Sequence, residues 1–144
     1  MAKTFFRRAW EWLSPERNFS SGTDAFPSPQ DLYVWVIAQL IESDRWSHAT
    51  FEAEGTPECV QVAPEDSDLL LNIPYSLGHD PSRTLIERGV EIPSHWRLHE
   101  FDPEVYATFA VPKEDAMRIA NAIDGIFLNV YNCDSEYSAN VCFE

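Results

Sequence analysis

The stretch that most constrains this chain is Val111 to Glu144, where one hydrophobic period gives way to another. Val111-Pro112-Lys113-Glu114-Asp115 reads as a helix start. Proline near the first helical position has no useful N–H to lose, and the acidic pair favours the positive end of the helix dipole. Ala116, Ile119, Ala120, Ile123, Phe127 and Val130 then fall on one helical face, with Arg118 and Asn121 opposite. Asn132-Cys133-Asp134-Ser135 stops the helix, because short polar side chains compete for backbone hydrogen bonds. Beyond it Tyr137, Ala139, Val141 and Phe143 alternate with Ser138, Asn140, Cys142 and Glu144, the pattern of a half-buried strand. A long helix that returns as a terminal strand requires a sheet made by the rest of the chain.

The upstream residues offer that sheet. Ser28-Pro29-Gln30-Asp31 is a capping-box variant, and it opens a helix through Leu32, Tyr33, Val34, Trp35, Val36, Ile37, Leu40 and Ile41 to about Ser43. This helix is apolar almost all round, so it should be buried on more than one side. Its β-branched residues leave a strand open for part of it. Three strands follow: Ser47 to Ala53, Glu58 to Ala63 and Asp68 to Ile73, divided by Glu54-Gly55-Thr56-Pro57 and Pro64-Glu65-Asp66. Links this short join strands as an antiparallel meander. Ser82 is placed to cap a short helix carrying Leu85 and Ile86, with Gly89 as its C′ residue. Trp96 to Phe101 and Tyr106 to Val111 are further strands. The order predicts an α+β fold: an antiparallel sheet of about five to six strands with helices packed on it. The expected core includes Trp35, Leu40, Val60, Val62, Leu70, Ile119, Ile123, Phe127, Val141 and Phe143.

Residues 28–144 make one domain, of a size that buries a self-sufficient core. Residues 1–27 read as a basic, aromatic segment followed by a linker at 18–28. Within it, Phe6, Trp10 and Leu13 share one face of a short helix over 3–13, with Phe5 and Ala9 nearby. That helix is expected to pack on the body or on a second subunit. Ten basic against 24 acidic residues give a net charge of −14, a field that repels phosphate backbones and anionic lipid. Nucleic acid is therefore not an expected partner, and a membrane is a poor one. Residues 1–17 hold four basic and two acidic residues, so the remainder carries −16. Cys59, Cys133 and Cys142 lack metal-ligand spacing and fit reduced thiols of a cytoplasmic protein. No apolar run approaches the roughly 20 residues that span a bilayer, and the N-terminus lacks a secretory signal's apolar core.

A catalytic constellation is not legible. His95 and His99 have the i, i+4 spacing of a helical metal pair, yet Trp96-Arg97-Leu98 between them reads as extended. In a strand the two would stand about 13 Å apart, too far to share one ion. His48 and His79 are isolated in sequence. None of the cysteines has an adjacent base, and no phosphate-binding glycine loop occurs. Glu65-Asp66-Ser67-Asp68 lacks the loop glycine and distal glutamate of a calcium site. The chain is read as not an enzyme, with no cofactor and no metal.

Several of these residues, in this order, resemble the type III secretion chaperone-like superfamily, and within it the YbjN and TY-Chap domains. The resemblance rests on Val60-Gln61-Val62 and Leu69 to Asn72 in successive strands, and on Leu85, Gly89 and Pro93 around the short helix. It continues through Tyr106 to Val111, Ala116, Ala120 and Ile123, and the closing Phe127-Leu128-Asn129-Val130-Tyr131. It implies a non-enzymatic, often homodimeric protein that sequesters or stabilises an extended segment of another protein, an effector or other client. The apolar helix supplies the partner-binding residues of that reading, Tyr33, Trp35, Ile37, Leu40 and Ile41, joined by Phe6 and Trp10. The charge supports an alternative, an acidic immunity or inhibitor protein that covers the basic site of a cognate toxin. A small hydrolase or metal enzyme is the third and least supported reading.

Overall fold

Turn-forming residues cut the chain into short strands, and the sheet is built from them. The computed structural model describes residues 19–22 and 25–144. In chain order these form β1 (Phe19–Gly22), α1 (Pro29–Glu42), β2 (Ala49–Ala53), β3 (Cys59–Glu65), β4 (Asp68–Ile73), α2 (Pro81–Glu87), β5 (Arg97–Asp102), β6 (Tyr106–Pro112), α3 (Ala116–Gly125) and β7 (Ala139–Phe143). A 3-10 turn, Lys113–Asp115, precedes α3, and a π-helical turn, Ile126–Val130, extends it. The fold is α+β. Its sheet has seven strands in the order β1-β7-β2-β3-β4-β6-β5, each pairing antiparallel.

The meander β2-β3-β4 forms as the sequence predicts, and the terminal strand β7 returns beside β2, with Phe51 opposite Val141. The seventh strand is the correction. Residues 18–28 were expected to be a linker, yet Phe19–Gly22 pairs with β7, Phe19 opposite Phe143. Serine and glycine weaken a strand's own propensity, so only the neighbouring edge reveals it. The sheet therefore begins before residue 28. The stretch that holds the predicted 3–13 helix, with Phe6 and Trp10, lies outside the described residues.

Local signals hold in part. Ser28 Oγ accepts from Asp31 N at 3.3 Å and donates to the Asp31 carboxylate at 2.8 Å, closing the start of α1. All of α1 is helical, so tertiary packing outweighs its β-branched content. At α2 the cap is Asp80 instead of Ser82, with Pro81 in the first turn. Gly89 ends that helix at φ +83°, a conformation that costs other residues strain. Pro112 closes β6 instead of opening α3, and Asp115 makes no cap hydrogen bond to the helix. In the π turn Tyr131 N donates to Ile126 O, and Asn132 at φ 58° ends the helix where the sequence stops it.

The core lies between one sheet face and the helices. Phe51, Val60, Val62, Leu71, Phe109 and Val141 face Leu32, Val36 and Leu40 of α1 and Ile119, Ile123 and Phe127 of α3 and its extension. Two of the expected core residues sit elsewhere. Trp35 is 36% exposed, and Leu70 is buried on the opposite face of the sheet with Ala63 and Ala110. On that second face Thr108 donates to Asn72 at 2.8 Å, Asn72 to Gln61 at 3.1 Å, and Gln61 to Thr50 at 3.5 Å. A polar ladder thus crosses β6, β4, β3 and β2, and all four of its side chains are buried.

Candidate functional site

The outer edge beyond β6 is formed by β5, Arg-Leu-His-Glu-Phe-Asp, whose residues are exposed apart from the half-buried Glu100. The hairpin that sets it there is closed by Val105 N donating to Asp102 O at 3.0 Å, with Pro103 between them. Leu98 lies opposite Phe109 and Phe101 opposite Ala107, on the helix-bearing side of the sheet. Their neighbours on β6 are fully buried, whereas Leu98 and Phe101 are 36% and 37% exposed. The register slips between Leu98 and Glu100. Such a bulge twists an edge and blunts self-pairing.

Four contacts fix this edge. Arg97 pairs with Asp68 on β4 at 3.1 Å, and the Tyr106 hydroxyl donates to Glu100 at 2.5 Å. Just before the strand, the buried Trp96 indole N–H donates to Asp115 at 2.9 Å, and His95 bonds the same carboxylate. These two bonds, Trp96's first, hold the Asp115 carboxyl below the usual carboxylate range. The acidic residue read as a helix-start charge is therefore a staple between α3 and the approach to β5. With Glu100, Asp102 and Glu104 in and beside it, the edge is an exposed strand with two apolar side chains in a negative field.

A second exposed aromatic group lies on α1. Trp35 packs on Phe26 at 5.7 Å and edge-on against Phe143 at 6.1 Å, while Trp46 stacks on Phe143 at 5.1 Å under the Arg45 guanidinium. Of the partner-binding residues named from sequence, only Trp35 is substantially at the surface. Ile41 is half-buried, Tyr33, Ile37 and Leu40 are inside the chain's own core, and Phe6 and Trp10 lie outside the described residues. The helix is apolar on several sides because α3 and the sheet both cover it. Leu98 and Phe101 were missed. A signal existed in two large apolar residues among His99, Glu100 and Asp102, beside a proline turn.

His48 is not isolated. Its Nδ1 is 3.0 Å from Ser47 Oγ and its Nε2 is 3.6 Å from Glu144, while Ser47 N, His48 N and Ser47 Oγ all donate to Glu144 O. This cluster ties the end of β7 to the start of β2. Burial lowers the His48 pKa, and the Glu144 carboxylate opposes that shift. Tyr33 and Tyr137 hydroxyls stand 2.7 Å apart, and Tyr137 donates to Asp124 at 2.7 Å. Both tyrosines are raised above their ordinary range by burial. Cys59 and Cys142 are buried, and Cys133 is half-buried with its thiol pushed up by burial. Among the described residues no group of three His, Cys, Asp or Glu gathers as a metal site, and no helix is long and apolar enough to cross a membrane.

No protein-family model matches this sequence, and no curated protein matches it. Among solved structures, the Pseudomonas avirulence protein AvrPphB is similar, with 13% identity over 89% of this chain and 52% of that one, at a TM-score of 0.45. The chain thus spans about half the length of that structure. The expectation that this chain is not an enzyme gains no support from this neighbour and is withdrawn. A TM-score of that size assigns neither fold nor activity.

Proposed function

We propose that this domain binds another protein by accepting an extended, basic segment along β5. The observation that carries the reading is the exposed β5 edge, with Leu98 and Phe101 at the surface between Arg97 and the acids Glu100, Asp102 and Glu104. Strand addition to a sheet edge gains main-chain hydrogen bonds, and alternate side chains supply the choice of partner. A net charge of −14 repels a second copy and attracts a basic segment, so the charge favours a different protein over a homodimer. The resemblance to secretion chaperones, which hold clients extended, agrees with this mode and with a cytoplasmic setting. The same charge favours a second reading, an immunity or inhibitor protein covering a basic toxin surface.

The test is a titration with an unstructured peptide of alternating lysine and valine, followed by calorimetry. Binding should weaken by about tenfold or more in Leu98→Asp/Phe101→Asp, equivalent to about 1.4 kcal/mol. Binding unchanged by that double substitution would remove β5 as the site.

A further inference from the structure

We propose that a cleft between the α1–β2 loop and the β3–β4 hairpin binds an alkylammonium group, the cationic end of an aliphatic amine. Its volume is about 400 Å³, within the range of small-molecule sites. Ser43, Asp44, Trp46 and Ser47 form one wall, and Ala63, Pro64, Glu65 and Leu70 form the other. Strand register sets the second wall. Ala63 lies opposite Leu70 and Glu65 opposite Asp68, so Ala63, Glu65 and Leu70 share the sheet face that turns away from the helices. The first wall follows from the end of α1. Ser43 caps that helix, and its Oγ accepts from Arg45 N at 3.1 Å, which turns the chain toward β2.

Charge and shape select the occupant. Asp44 and Glu65 bring two carboxylates to the cleft, and none of the eight residues named is basic. Among the described residues neither carboxylate has a hydrogen-bond or ion-pair partner. Asp66 and Asp68 follow Glu65 in the hairpin, and Asp68 is neutralised by Arg97. A cleft walled by one sign of charge concentrates the opposite sign, so it attracts amines and rejects phosphates and carboxylates. Ser47 Oγ donates its proton to Glu144 O at 2.8 Å, which leaves the oxygen an acceptor. An ammonium carries three donors and no acceptor, which matches two carboxylates and one hydroxyl oxygen. A sugar fits less well. The Trp46 ring is stacked on Phe143 and covered by the Arg45 guanidinium, 4.4 Å from its centre, so no open ring face remains for stacking. Ala63, Pro64 and Leu70 offer an apolar floor to a methylene chain, as long cationic side chains use elsewhere. A free linear diamine and the lysine side chain of a protein both present this chemistry. The cleft lies on β3 and β4, which β6 separates from β5, so it stands independently of docking at that edge.

The experiment is a calorimetric titration of the full chain with cadaverine, with Nα-acetyl-lysine amide and with methylammonium. It compares wild type with Asp44→Asn/Glu65→Gln and with Asp134→Asn/Glu136→Gln, which removes the same charge from an exposed loop elsewhere. Wild type should bind cadaverine at least about tenfold more tightly than methylammonium, since each buried methylene is worth about fourfold. The Asp44/Glu65 variant should weaken cadaverine binding by about tenfold or more, while the Asp134/Glu136 variant stays within about twofold of wild type. Lysine amide binding as tightly as cadaverine would assign the site to a protein side chain, and cadaverine alone would assign it to a free amine; either supports the proposal. It is overturned if the two double variants weaken binding equally, because the net charge alone would then hold the amine. Cadaverine that fails to bind, or binding unchanged in the Asp44/Glu65 variant, would also overturn it.

Discussion

Phe127→Ala removes the ring on which the C-terminal helix is seated. Phe127 is fully buried, with Tyr33 at 6.3 Å, Tyr131 at 5.5 Å and Tyr137 at 5.6 Å between ring centroids. Truncating a buried phenylalanine loses its transfer free energy and leaves a cavity, together about 3–5 kcal/mol. Three ring contacts place this site toward the upper end, since each aromatic pair adds about 0.5–1.5 kcal/mol beyond area. Urea unfolding followed by tryptophan fluorescence should show a midpoint shift equal to at least about 3 kcal/mol with an unchanged slope. Met117→Ala, on the same helical run but 65% exposed, should stay within about 0.5 kcal/mol. A loss below about 1 kcal/mol at Phe127 would refute the packing argument.

Tyr137→Phe should cost more than Tyr33→Phe, because it leaves a buried Tyr33 hydroxyl without its acceptor, about 1–3 kcal/mol by chemical denaturation. His48 has a lowered pKa in the fold, so the unfolded chain binds its proton first. Its contribution is present above the ordinary histidine range near 6.5 and is lost as pH falls below it, and unfolding midpoints of His48→Gln should flatten across that window. Asp115, also lowered, contributes above the ordinary carboxylate range and loses that contribution as pH falls through its depressed value. Asp115→Asn should therefore blunt the acid limb of the same titration. If the domain is an inhibitor steered by charge, its association rate with a basic partner should fall steeply with added salt, as stopped-flow mixing would show.

The helix-to-strand switch at Val111 to Glu144 was legible because each period persists over several residues, and α1 was legible from Ser28, Pro29 and Asp31. What stayed hidden depends on contacts that no local pattern encodes. Phe19–Gly22 becomes a strand only because β7 offers it an edge, and Asp115 reads as a helix charge until Trp96 and His95 reach it. Both faces of β3 are buried, which the short run Val60-Gln61-Val62 does not disclose. The partner-binding residues assigned to α1 followed from an apolar helix with no visible cover; α3 is that cover. The exposed apolar pair on β5 was overlooked because it sits among charges in a short strand.

The central claim is that β5 is where another chain docks. The most direct measurement is a backbone amide chemical-shift map of the 15N-labelled protein, recorded as the alternating lysine–valine peptide is added. The largest changes should fall on residues 97–102, with slowed hydrogen exchange there. Changes centred instead on Trp35 and Trp46, or none at saturating peptide, would contradict the account.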